Sequence, residues 1–268
     1  MPSDPALSAR GASIGYRDRA VIDGLDLNVP RGAFTALIGP NGSGKSTLLR
    51  ALARLQSLSS GQILLDGRAL ATIGPREAAR RVGILFQGAS APEGMTVSEL
   101  VQEGRYPHRS LFGRWNRADE AACARALRLT KLEALADRPL DTLSGGQRQR
   151  AFVAMVLAQE TGILLLDEPT TYLDLPHQLD ILELAGALVR EEGTTVVAAI
   201  HDINQAARYA AHLIVLKDGA VVTAGPPDAI VTPALIEEVF AVKAMVVPSP
   251  VDGRPLILPL TRAEREDS

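Results

Sequence analysis

The 268 residues, 46% hydrophobic and 22% charged, have the composition of a folded globular chain of one large domain or two ordinary ones, and exclude intrinsic disorder. A formal net charge of −3, from 28 basic and 31 acidic residues, gives no overall cationic field for a polyphosphate backbone, and 4% aromatics leave few rings for stacking bases, so nucleic acid is not an expected partner. The single cysteine, Cys123, excludes an intrachain disulfide and a cysteine-built metal centre, which suits a reducing compartment.

No apolar run reaches the ~20 residues of a membrane-spanning helix, and Met1-Pro2-Ser3-Asp4-Pro5 lacks the basic and apolar regions of a signal peptide, so the chain is expected to stay where it is made. Leu25, Leu27 and Val29 alternate with Asp26 and Asn28, a period of two that predicts a half-buried strand, and Leu7 to Val29 reads as antiparallel strands. They lead into the buried strand Ala33 to Ile38, a glycine loop and a helix from about Ser46. Gln62 to Leu65 predicts a strand ending at the turn pair Asp66-Gly67, and Val82 to Phe86 another buried strand. From about Gly88 to Gln159 the pattern is helical, with Thr96-Val97-Ser98-Glu99 matching a capping box. Strand Ile163 to Leu166, helix His177 to Glu191, strand Thr195 to Ile200, helix Ile203 to Tyr209 and strand Leu213 to Leu216 follow. Asp218-Gly219 and Asp252-Gly253 mark hairpins. This order predicts an α/β fold with a mostly parallel sheet, an N-terminal antiparallel β subdomain and an inserted α-helical subdomain. Residues 1–260 read as one domain, with about 88–159 as the insertion and 261–268 as a frayed polar tail.

Three stretches carry chemistry. Gly39-Pro40-Asn41-Gly42-Ser43-Gly44-Lys45-Ser46-Thr47 fits the phosphate-loop pattern between a buried strand and a helix, and Lys45 is one of only four lysines. Glycines let successive amides turn toward phosphate oxygens, the helix start adds unpaired N–H groups, Lys45 reaches the β- and γ-phosphates, and Ser46 can ligate Mg²⁺. Ile163-Leu164-Leu165-Leu166-Asp167-Glu168 ends an apolar strand in two acids at the sheet edge where such folds bind ligands. Asp167 suits Mg²⁺, directly or through water, and Glu168 suits polarising the water that attacks a γ-phosphate. Leu143-Ser144-Gly145-Gly146-Gln147 opens a helix with a hydroxyl and small-residue amides, a second anion site that one nucleotide in one subunit does not need. His108, His177, His201 and His212 show no metal-ligand spacing.

In this order the motifs resemble the nucleotide-binding subunit of ATP-binding cassette (ABC) transporters over roughly residues 7 to 260, a P-loop NTPase fold. The resemblance implies that Tyr16 stacks on adenine, that residues 39–47 are the Walker A loop, and that Gln87 is the Q-loop glutamine sensing magnesium and the membrane partner. It further implies that Leu143 to Gln147 is the family signature, residues 163–168 the Walker B strand, Leu173-Asp174 part of the D-loop and His201 the switch histidine. Two subunits of this family pair head to tail, so the signature of one covers the γ-phosphate held by the other, which explains the second anion site.

Gly104-Arg105-Tyr106-Pro107-His108, Thr171 to Leu184 and Pro248 to Leu256 look like the importer group for iron–siderophore complexes, cobalamin and haem. The implied function is an ATP-hydrolysing subunit with ATP and Mg²⁺ as cofactors, working as a dimer with two separate permease subunits and, through them, a substrate-binding protein. Its place is the cytoplasmic face of the bacterial inner membrane. Closure is expected to reach the permeases through a groove beside Gln87 and the helical subdomain, including Arg105 to His108. Two alternatives stay open: another cargo such as cobalamin, haem, zinc or manganese, and a non-transport ATPase serving repair or cofactor assembly.

Overall fold

The structure, a computed structural model, describes residues 4–16, 19–109, 114–171 and 173–261, and the side chains of Tyr16 and Arg19 lie outside that description. The first part of the chain forms strands β1 (Leu7–Tyr16), β2 (Arg19–Val29) and β3 (Phe34–Ile38), helix α1 (Lys45–Leu52), strands β4 (Ser60–Leu65) and β5 (Arg68–Ala69), helix α2 (Pro75–Ala79) and strand β6 (Val82–Leu85). Helices α3 (Val97–Glu103), α4 (Arg117–Leu129) and α5 (Gly145–Ala158) follow. Then come strand β7 (Ile163–Asp167), helix α6 (Leu175–Glu192), strand β8 (Thr195–Ala199), helix α7 (Ile203–Tyr209), and strands β9 (His212–Lys217) and β10 (Ala220–Gly225). The C-terminal part adds helices α8 (Pro227–Ile230) and α9 (Pro233–Phe240) and strands β11 (Ala244–Pro248) and β12 (Pro255–Pro259).

Among the described residues the largest sheet has six strands in the order β10-β9-β3-β8-β7-β6, parallel except for the β9–β10 hairpin. A four-stranded antiparallel sheet, β2-β1-β4-β5, covers one side, and β11 pairs with β12. Strands β3, β7 and β8 are buried along their whole length, as continuous apolar runs between two covering layers must be. Their side chains still alternate. Phe34, Ala36, Ile38, Leu164, Leu166, Val196 and Ala198 face a core shared with α3, α5, α6, α7 and α9. Leu37, Leu165, Val197 and Ala199 face the opposite core with α1 and the antiparallel sheet.

Local chemistry sets the element ends. The Thr96–Glu99 capping box forms as the sequence predicts, and boxes at Asn116–Asp119 and Ser144–Gln147 start α4 and α5. Asp66-Gly67 and Asp218-Gly219 take positive φ at both central residues, the two-residue turn that joins twisted antiparallel strands. Helix α5 packs on both α3 and α4 while also touching β6. The β9–β10 and β11–β12 hairpins form around the turn pairs that the sequence marks, whereas helices α2, α8 and α9 carry no such signal. Residues 262–268, most of the expected tail, lie outside the described residues. Because Leu165 is fully buried in the central sheet, Leu165→Ala is expected to lower stability by about 2–5 kcal/mol in urea unfolding.

Candidate active site

The sheet order brings the site together. The 39–47 loop follows β3, His201 follows β8, Asp167 and Glu168 end β7, and Gln87 follows β6, so four neighbouring parallel strands deliver their carboxyl ends to one edge. There Gly42, Lys45, Ser46, Thr47, Gln87, Glu168 and His201 line a cleft of about 880 Å³, with room for a nucleoside triphosphate.

The loop is built for close backbone approach. Gly39 has φ 149°, and a Cβ there would stand 2.0 Å from the Leu216 carbonyl oxygen, so no larger residue fits. Gly44 caps α1 with φ 100° and offers no side chain to the helix N–H groups, which leaves them for an anion. Lys45 is buried, and its Nζ donates to the Gly39 and Pro40 carbonyls at 2.9 and 3.0 Å. Burial lowers its pKa, opposed by the nearby Glu168 and Asp167 charges.

Ser46 Oγ donates to Asp167 Oδ1 at 2.8 Å. Asp167 is wholly buried, and its Oδ2, like the Ser43 Oγ, has no hydrogen-bond partner. Desolvation raises the Asp167 pKa, helped by Glu168 and opposed by the Ser46 hydrogen bond and by Arg50 and Lys45. A buried carboxylate oxygen left over beside a serine hydroxyl fits a hard divalent cation. Among the described residues no group of three or more His, Cys, Asp or Glu side chains could hold a metal, so a cation here takes its other ligands from phosphate and water.

Glu168 sits at φ 53°, uncommon for a non-glycine residue, and its side chain is only 10% exposed. His201 Nε2 lies 2.6 Å from its Oε1, while the Gln87 amide and Thr171 Oγ1 donate to its Oε2, the latter at 3.2 Å. Gln87, expected at the metal, thus bonds Glu168. Two neighbouring strands therefore aim one carboxylate, a placement its own sequence neighbourhood does not reveal.

Not every expected residue joins the cleft. Ser144, Gly145, Gly146 and Gln147 are absent from its described lining; Ser144 Oγ and the Gln147 side chain instead cap α5 at 3.2 and 3.1 Å. Gly146 packs beneath the His177 ring, which pairs with Asp174 at the start of α6. The expected adenine contact falls on the Tyr16 side chain, outside the described residues. Arg105 corrects the expected permease contact: at 4% exposed it is an internal residue, and within the segment Tyr106, 73% exposed, faces outward.

The sequence model described as ABC transporter matches residues 22–171. The chain belongs to the ABC transporter family. It is 52% identical over 93% of its length to the ferric enterobactin transport ATP-binding protein of Escherichia coli, 92% of which is covered. Among solved structures, one described as a metal-chelate type ABC transporter in an inward-facing conformation superposes with a TM-score of 0.83 at 28% identity, covering 97% of this chain and 99% of that one. A dimeric ATP-binding cassette in a post-hydrolysis state with ADP and Pi superposes at a TM-score of 0.73 and 28% identity, covering 82% and 98%. The chain is thus an ABC ATPase with the cassette fold, and no described helix is long and apolar enough to cross a membrane.

In this cassette Ala20, Val21 and Asp218 also line the cleft, through β2 and the β9–β10 turn. The Asp218-Gly219 pair signals the turn but not its destination. Burial raises the Asp167 pKa, so folding disfavours its ionised form; that penalty is full above the folded value and fades as pH falls through it. Asp167→Asn is accordingly expected to raise the Tm of nucleotide-free protein near pH 7, by roughly 2–4 °C per kcal/mol relieved, and the gain should shrink toward acid pH in thermal melts with chelator.

Proposed function

We propose that this cassette is the ATP-hydrolysing subunit of an importer for a ferric siderophore, acting as a head-to-tail dimer on two permease subunits at the cytoplasmic face of the bacterial inner membrane. A substrate-binding protein delivers the cargo on the other side. The observation that carries the reading is the Glu168 carboxylate, held by His201 and Gln87 in the same cleft as Lys45. The 52% identity to a ferric enterobactin transport subunit favours the cargo class over other chelates.

Within each copy, the backbone N–H groups of Gly39, Asn41, Gly42, Ser43, Gly44 and Thr47 surround the phosphates as their geometry allows, and Lys45 turns from the Gly39 and Pro40 carbonyls to the β- and γ-phosphate oxygens. Pro40, lacking an N–H, contributes shape and its carbonyl rather than a donor. Ser46 and Asp167, with Gln87, would hold Mg²⁺, which when bound neutralises charge on the phosphate oxygens. Glu168 accepts a proton from the water whose oxygen attacks the γ-phosphorus, as the bond to the ADP oxygen breaks. His201 fixes the Glu168 carboxylate and, lining the same cleft, is the proposed donor to the γ-phosphate. Ser144, Gly145, Gly146 and Gln147 of the second copy close the site from the other side, and residues 88–159 form the helical subdomain that carries them.

Glu168→Gln is expected to lose roughly 10²–10⁴-fold in turnover while keeping ATP affinity, measured by phosphate release and nucleotide titration. Near-normal hydrolysis would contradict the assignment. Co-purification with integral-membrane permeases that stimulate turnover supports transport; stimulation by soluble partners alone would favour the non-transport reading.

A further inference from the structure

Arg105 is buried and turns two of its three guanidinium nitrogens to acceptors inside the protein. Its Nε donates to Asp119 Oδ1 at 3.0 Å, and its Nη1 donates to the Ala158 carbonyl and to Glu160 Oε2, both at 2.8 Å. The first acceptor is on the opening turn of α4, the second is the last residue of α5, and the third lies just beyond it. Asp119 is 3% exposed and also closes the capping box that starts α4. One residue before Arg105, Gly104 lies directly on α5, where a Cβ would stand 2.0 Å from the Met155 carbonyl oxygen. The segment after it grips the same helix end. His108 Nε2 donates to the Gln159 carbonyl at 2.8 Å, and the Gln159 amide donates to the Ala79 carbonyl of α2. Arg76 and Arg80 of this region both donate to the Pro107 carbonyl, at 2.9 and 2.8 Å. The C-terminal end of α5 is therefore tied to α2, α3 and α4 at once, while its other end carries Ser144 to Gln147.

We propose that Arg105 is a positioning residue for the reaction: through Asp119 and the Ala158 carbonyl it fixes the end of α5 and so the place at which the opposite end presents Ser144 to Gln147. A 14-residue helix is about 21 Å long, so a tilt of about 5° at one end moves the other by about 2 Å. A planar guanidinium with fixed donor directions sets such an angle better than a flexible ammonium does. A buried ion pair is a weak source of stability compared with apolar packing, which is consistent with a geometric role. Its consequence for turnover rests on the head-to-tail reading above; its effect on α5 does not.

The test compares Arg105→Met/Asp119→Leu, which replaces the pair by apolar side chains, with a parent, both carrying Cys123→Ala and nitroxides at Asp141→Cys and Arg68→Cys, two exposed positions beside the signature and on the antiparallel sheet. The distance distribution within one chain is expected to shift or broaden by roughly 2 Å or more, with ATP affinity within about twofold of the parent's. Arg105→Lys, which keeps the charge without the fork, is expected to fall between the two. A distribution that superposes on the parent's overturns the proposal. So does a joint loss of melting temperature and ATP affinity, the mark of a general structural role. In a Glu168→Gln background, ATP-dependent dimerisation of the double variant is expected to need at least roughly tenfold more protein, and unchanged dimerisation also overturns the proposal. If the Glu168→Gln parent itself forms no dimer, the head-to-tail reading fails, and the distance measurement alone decides the role of Arg105.

Discussion

The hydrogen bond from Ser46 to Asp167 joins residues 121 positions apart and depends on the whole central sheet. It exists because β3 and β7 flank β8 in one parallel sheet, so the helix that leaves β3 starts beside the end of β7. Both strands are apolar except for Thr35 and the terminal Asp167, and the alternation of their apolar side chains between two cores fixes their register. The packing that holds the sheet therefore also sets the distance between the phosphate loop and the terminal acids.

That placement leaves charge where water cannot reach it well. Lys45 has its pKa lowered and Asp167 has its pKa raised, each chiefly by burial. One buried cation and one buried anion with a free oxygen match the two halves of a magnesium–nucleotide complex: phosphate oxygens for the lysine, the metal for the aspartate. Glu168, next along the chain, has a different environment, with His201, Gln87 and Thr171 around its carboxylate. Adjacent acids at one strand end thus have the surroundings for two tasks, cation binding and proton acceptance.

Much of this was legible in the sequence because it is local. The strand–loop–helix around residues 34–52 and the acidic end of β7 are each one contiguous segment with its own period and turn residues. The convergence of Gln87 and His201 on Glu168 was not legible as geometry, because it follows from the strand order β8-β7-β6, which no local pattern encodes. The same holds for Ala20 and Val21, which reach the cleft only through the fold of the antiparallel sheet over it. Arg105 misled for another reason. An arginine in a polar segment reads as surface, and its burial depends on Asp119 and the Ala158 carbonyl arriving from two other helices.

One feature of the chain points beyond a single copy: two helix starts with exposed anion-binding chemistry, of which only that of α1 lines the cleft. In the proposed head-to-tail dimer the two meet, so that every complete site draws on two chains. Mixing tests this directly. Lys45→Ala and Ser144→Arg should each abolish turnover alone, whereas a co-expressed mixture should recover about a quarter of the parent rate, because half of randomly paired dimers hold one intact composite site. A mixture as inactive as its two components would contradict the composite site.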